Sequence, residues 1–411
     1  MSNTVQAAPR ARTDCAIVYG DAPRRQTSLI VTLAPIMAVV LVAYLIIGLA
    51  MPVLPLYVHQ VLGFSTFMVG VAAGVEFAAA LLSRFWAGTY ADTKGAKQAM
   101  TIGLLMGVAS GLLYLLSIRF AASRVAAISI LMVGRVFLGG AESFVITGAL
   151  SRGLSTSGSA NAGRVISWVG TALWAAYAVG APAGTALYAR YGFASIALAT
   201  AVLPLATLGI VAPLQSLPPT AQKSPSIIKV LCAVYVPGIG VALTAVGFVT
   251  ISTFGALMFV ERGWSSAWIA FSALSVAFIA GRLFFGHMPD KIGGARVALW
   301  CVLIEALGQL MIWMAPSPLL VFIGAGVTGL GYSLVYPGFG LEAVSLAPPE
   351  AKGLAMGAFT AFLDLAMGLA SPALGLVASG FGLGSVFLVS TFVVLCAAAV
   401  AVQLIRIRAR A

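Results

Sequence analysis

The sequence predicts an all-α membrane protein with twelve transmembrane helices in two pseudo-symmetric six-helix bundles. Three observations carry this: a composition short of charge, twelve apolar stretches of membrane-crossing length, and a repeat of about 200 residues. The chain has 411 residues, with 23 Lys and Arg against 11 Asp and Glu. Charged residues make up 8%, against roughly 25% in soluble domains. Hydrophobic residues reach 61% and mean hydropathy is +1.05. A soluble enzyme needs more surface charge. A disordered chain carries far less apolar content.

A membrane helix needs about 20 mostly apolar residues. Twelve stretches qualify: 29–51, 67–87, 98–118, 125–149, 165–188, 193–213, 229–259, 266–286, 297–315, 319–343, 354–378 and 384–405. Most are apolar all round, which suits lipid or a buried bundle. They are too long and too Gly-rich for barrel strands. Residues 1–27 are polar and lack a signal-peptide pattern, so they read as a cytoplasmic tail. The longest polar connection, 214–228, gathers Pro, Ser and Lys as linkers do. It separates a bundle at 28–213 from one at 229–405, and 406–411 form a second tail. Pro52 and Pro55 close the first span and bend it.

The basic residues fix an orientation. Placing the tails and every second loop inside puts 18 of the 23 on the cytoplasmic side, Arg84 and Arg282 among them. Arg119, Arg124, Arg190 and Arg262 fall opposite, and Arg135 falls within a span. Such asymmetry places both termini in the cytoplasm. The net charge of +12 is therefore topology, not a nucleic-acid footprint. Cys15, Cys232, Cys301 and Cys396 are scattered without metal or redox spacing. The lone His59 and His287 have no metal-ligand company, and no metal or other cofactor is expected.

The halves repeat one another. Gly63-Phe64-Ser65 is matched by Gly263-Trp264-Ser265. Arg84, Gly88, Asp92 and Gly95 recur as Arg282, Gly286, Asp290 and Gly293, and Pro182 with Gly184 recurs as Pro372 with Gly375. A repeat this long suits a duplicated six-helix unit, a transporter signature. The first cytoplasmic loop, Gly88-Thr89-Tyr90-Ala91-Asp92-Thr93-Lys94-Gly95-Ala96-Lys97, resembles the signature loop of the major facilitator superfamily, departing from it at Thr93 and Ala96. Asp290-Lys291-Ile292-Gly293 repeats its core. Leu131 to Ala141, built around Arg135 and Gly139, resembles the family's second motif. The family's antiporter motif is matched in span five only at Pro182. As a whole the chain resembles the bacterial branch labelled arabinose-efflux-type permeases. The resemblance implies that spans 1, 4, 7 and 10 line a central cavity. It also implies that Asp92 and Asp290 latch the cytoplasmic side, where helix N-termini favour negative charge. Lys94, Gly88, Gly95 and Arg84 complete the expected gate.

An ionisable group within a membrane needs a reason to be there. Arg135 and Glu142, two helical turns apart, share a face of span four, so the Arg is expected to act on that acid. Asp364 lies mid-span with no charged neighbour at helical spacing and suits a proton-carrying site. Glu76 is a further coupling candidate, and Tyr332 and Tyr336 are cavity candidates beside Tyr44 and Phe248. Glu305 reads as peripheral and Glu342 as wet, near the cytoplasmic end. Trp174, Tyr177 and Pro182 read first as helix packing.

The expected function is proton-coupled efflux of a small organic molecule, a sugar or drug-like compound, by rocking of the halves. The alternative is uptake of a sugar or organic acid by symport or facilitated diffusion. No nucleophile–base pair suggests an enzyme, and no phosphate-binding loop suggests ATP drive. Expected partners are the substrate, protons and the lipid of a bacterial inner membrane. The protein is expected to be monomeric and to bind no nucleic acid.

Overall fold

The computed structural model describes residues 29–157, 161–216, 227–347 and 352–410. The tail expected at 1–27 lies outside these residues, as does most of the linker expected at 214–228. Among the described residues, twelve helices are long and apolar enough to cross a membrane. They are α1 (Leu29–Ala50), α2 (Thr66–Lys94), α3 (Ala96–Arg119), α4 (Arg124–Ser157), α5 (Ala162–Tyr191), α6 (Phe193–Val211), α7 (Ile227–Glu261), α8 (Trp268–Phe285), α9 (Gly294–Trp313), α10 (Pro318–Leu346), α11 (Lys352–Phe381) and α12 (Ser385–Arg410). After Pro52, α1 continues through short helical segments, Leu54–Leu56 and Tyr57–Val61, so the bend does not end the span. Prolines also sit inside α5, α6, α7, α10 and α11. Membrane bundles tolerate this because neighbouring groups re-satisfy the freed backbone. α12 runs without a break to Arg410, through the segment expected as a tail.

Helix starts and stops follow local chemistry. The Ser65 hydroxyl accepts the Met68 N–H and caps α2. Gly95 turns the chain between α2 and α3 at φ 100°, and its repeat partner Gly293 does the same before α9 at φ 94°. A side chain is disfavoured in that region, so both copies keep glycine.

The packing repeats as the sequence does. α1 packs on α5, α2 on α4, α3 on α4 and on α6; six helices later, α7 packs on α11, α8 on α10, α9 on α10 and on α12. Backbones approach closely at small residues. A Cβ on Gly139 would strike the Glu76 carbonyl, and one on Gly329 would strike that of Leu274, the same contact in each half. We call the side where α1 begins and α12 ends the terminal face, and the other the far face. Lys97 Nζ donates to Ala212 O at 2.6 Å on the terminal face, and Arg262 donates to Ala315 O at 2.7 Å on the far face.

Two helix pairs join the halves, α2 with α11 and α5 with α8. From the far face inward, Thr66 Oγ1 donates to Gly375 O at 3.1 Å. A Cβ on Gly70 would strike the Ser371 carbonyl, and one on Gly74 would come within 2.5 Å of the Gly368 carbonyl. The run ends at Arg84 and Asp364, which form an ion pair. Further towards the terminal face, Gly88 and Gly357 continue the same helical stripes, and each faces open space. α2 and α11 thus touch from the far face to mid-depth and diverge beyond it. On the other pair, Ser272 Oγ donates to Ala178 O at 2.9 Å, Trp174 stacks on Phe278, and Ser167 nearer the terminal face is exposed.

Candidate functional site

The midpoint of the bundle holds charged and aromatic side chains from both halves. Arg84 on α2 reaches Asp364 on α11, with Nη2 at 2.6 Å and Nε at 2.8 Å from Oδ2. Asp364 is not the isolated acid that its own helix suggests. Its partner comes from the other half, which spacing along one helix does not show. Asp364 is buried at 4% exposure, and the Arg84 side chain keeps 21%. The sequence puts Arg84 among the loop cations and the gate; the structure sets it at mid-depth instead.

Arg135 does not turn to Glu142. It pairs with Glu76 on α2 and donates from Nε to Ala72 O at 3.0 Å. Helical spacing put Arg135 and Glu142 on one face of α4, but two turns are too far for contact, and α2 lies against the helix at Gly139. Glu142 instead accepts from Tyr44 on α1 at 3.3 Å. Glu76, Arg135 and Glu142 sit on adjoining helices of one half, close to the Arg84–Asp364 pair. A cavity of about 30 Å³ beside Glu76 and Arg135, walled also by Ile47, Met51 and Thr253, has room for a water-sized group.

Aromatic rings pack at the centre as well. Trp174 stacks on Phe278 with centroids 3.8 Å apart, and Phe248 lies nearly parallel to Tyr332 at 6.1 Å. Tyr177 joins Trp174, Phe248 and Tyr44. These rings come from α1, α5, α7, α8 and α10, so both halves contribute. All six are buried. Tyr332 belongs to this cluster. Tyr336 lies one turn nearer the terminal face, its hydroxyl 2.7 Å from Thr360 Oγ1.

The other expected residues fall elsewhere. Glu342 is not wet: it is 2% exposed, accepts the Ala295 N–H at 2.8 Å and pairs with Arg408 at 2.9 Å. α12 extends past the expected span end and brings Arg408 to it. Glu305 is wholly buried between α7 and α10, beneath Gly247 and Gly331. Asp92, Lys94 and Asp290 are exposed on the terminal face and form no side-chain hydrogen bond or ion pair among the described residues. Gly88 and Gly95 flank Asp92 at the end of α2. The residues expected to form a gate are thus not joined where the helices diverge. No group of three metal-ligating side chains occurs among the described residues.

The sequence model of the Major Facilitator Superfamily matches residues 36–286 and 238–411. The chain is 42% identical over 381 residues to an uncharacterised MFS-type transporter of Salmonella typhimurium, covering 93% of this chain and 98% of the relative. It is 38% identical to one of Burkholderia mallei, covering 89% and 90%. The chain belongs to the Major Facilitator Superfamily. A solved bacterial homolog of the human lysosomal transporter Spinster shares its fold with a TM-score of 0.72 at 13% identity, over 91% of this chain and 96% of that one. As a member of the superfamily, the protein is a multi-pass membrane transporter.

Two features of the centre of this transporter escape a reading of single helices. One is the ring cluster, since Trp174 and Tyr177 read as packing and nothing in the sequence singles out Phe278 until α5 meets α8. The other is Arg282. The repeat marks it as the mate of Arg84, and that was the available signal.

Proposed function

We propose that the protein is a proton-coupled exporter of a small organic molecule, working by alternating access in the bacterial inner membrane with both termini cytoplasmic. The observation that carries the reading is the Arg84–Asp364 pair. It joins the halves at mid-depth, where the contact between α2 and α11 ends. Opening the far face requires these helices to part from Thr66 to Arg84, so the pair must break or swing. An ionised Asp364 holds Arg84 and favours the conformation open to the terminal face. A protonated Asp364 loses the charge that holds it. Asp364 takes a proton from the far side once the pair has broken, the loaded protein returns, and Arg84 displaces the proton to the terminal side as the pair re-forms, so a proton enters as substrate leaves. Glu142 and Tyr44, beside Arg84, offer the proton a second stop. The resemblance to efflux-type permeases supports export, and the excess of cations on the terminal face supports its placement in the cytoplasm. The halves at 28–213 and 229–405 would move as bodies about the linker.

The test has two steps. A strain expressing the protein is screened for altered tolerance of sugars, organic acids and antimicrobials. Each hit is then added to proteoliposomes holding a trapped pH dye. Exchange for protons changes the internal pH with wild-type protein and not with Asp364→Asn. Transport of a hit without proton movement contradicts the coupling.

A further inference from the structure

The two halves carry matching arginines with unlike partners. Arg84 on α2 and Arg282 on α8 are 198 residues apart in the repeat. Arg84 reaches across to α11 and finds Asp364. Arg282 reaches across to α5, where a Cβ on Gly170 would lie 2.7 Å from its Nη1. Pro182 and Pro372 set the register of α5 against α11 at 190 residues, which aligns Trp174 with Asp364. An indole thus stands where the other half has a carboxylate.

Arg282 is left with neutral company. Nε donates weakly to Ser333 O at 3.3 Å, and the guanidinium lies 5.0 Å from the centre of the Phe278 ring. The titratable side chains that act on it are Tyr336 and Tyr332, phenols that carry no charge near neutral pH. Among the described residues it forms no ion pair. A cation at mid-depth without a counter-ion is costly, and such groups mark substrate pathways. It is half-buried, and it lies at the point where the halves begin to diverge.

We propose that Arg282 is the recognition group for the carboxylate of an organic anion, which takes the place that Asp364 fills opposite Arg84. The planar guanidinium matches a carboxylate with two parallel hydrogen bonds. Phe278 lies under the guanidinium with Trp174 stacked on it, and half-buried Tyr336 is on the adjoining helix α10, so an apolar body bound here meets an aromatic wall. The substrate class is therefore an organic acid with an apolar or aromatic portion. This deepens the export reading, for it rests on the centre of the bundle being the substrate site. It does not rest on proton coupling.

The experiment is thermal unfolding of the purified full-length protein with benzoate, phenylacetate and 1-naphthoate, each paired with its neutral amide. The acids raise the unfolding temperature saturably and the amides do not. Arg282→Gln weakens the affinity for the acids at least about tenfold, and Arg282→Lys by less. Trp174→Asp supplies an internal carboxylate to Arg282. It is expected to abolish the response to acids, although loss of the stack on Phe278 lowers the unfolding temperature. Arg282→Lys, which keeps the charge, is the control for folding in Arg282→Gln: it retains a weakened response to the acids. Amides as effective as acids, unchanged affinity in Arg282→Gln, or no saturable response to any of the acids overturns the proposal. Carboxylate binding without proton-linked movement leaves it standing and sinks the coupling alone.

Discussion

Arg84 and Asp364 lie on different halves of the molecule and meet through two contacts to one carboxylate oxygen, at 2.6 and 2.8 Å. On one side of them α2 and α11 touch as far as Thr66; on the other, the glycines that continue the stripe face open space. The pair is the vertex of a wedge. Asp364→Asn is expected to reduce proton-driven transport at least about tenfold, equal to about 1.4 kcal/mol in the barrier. It should also make the remaining transport independent of pH. Arg84→Gln should be the more harmful to folding, since it leaves a buried carboxylate without its cation. A double-mutant cycle should show a coupling of about 1–3 kcal/mol. Additive effects would mean that the pair does not act as a unit.

Glu76 and Arg135 pair within one half, both nearly inaccessible. Glu76→Gln should lower stability by about 3–5 kcal/mol, because the arginine charge stays buried without its partner. Replacing both, Glu76→Leu with Arg135→Met, should recover most of that loss. Thermal unfolding and membrane yield report the difference. A double variant as unstable as the sum of the singles contradicts a structural pair.

Gly70 permits the closest approach between the halves at the far face. Gly70→Val should wedge that face apart. In a background with Cys15, Cys232, Cys301 and Cys396 replaced by Ser, a cysteine at buried Ser252 should then react with a membrane-impermeant maleimide. Equal labelling with and without Gly70→Val speaks against the seal.

Glu342 caps α9 through the Ala295 N–H and holds Arg408. Glu342→Gln removes only the ion pair to a half-exposed arginine, worth up to about 1 kcal/mol. Glu342→Ala also removes the acceptor, and should cost about 1–2 kcal/mol more. Equal unfolding temperatures for the two variants would assign the whole effect to Arg408.

Most of the architecture was legible in the sequence. Lipid demands long apolar helices, and duplication leaves its mark in Gly95 and Gly293 or Pro182 and Pro372. The partners of the charges were not legible. Arg135 and Glu142 share a face of one helix, yet Arg135 turns to α2, since a neighbouring helix offers a carboxylate nearer than two turns away. Asp364 looked isolated for the same reason. Glu342 looked wet because the helix bearing Arg408 ran on past its apolar stretch. Pairing across helices depends on their rotation and depth, which one helix's pattern does not contain.

Asp92 and Asp290 stand exposed on the terminal face, where the helices have parted. Neutralising Asp92 with Asn should leave the stability of this conformation within about 0.5 kcal/mol and raise the reactivity of cysteines placed near Gly357. Unchanged reactivity removes Asp92 from the gate.

The most direct test of the Arg84–Asp364 vertex is the distance across the far face. Spin labels at Val61→Cys and Val260→Cys, both on exposed sites at the far ends of α1 and α7, report it by pulsed electron resonance in the same cysteine-free background. Acidification should lengthen the distance in the wild type. Asp364→Asn should show the lengthened distance at every pH, because it mimics the protonated acid. A mutant that keeps the short distance at neutral pH and still responds to acid would contradict the account.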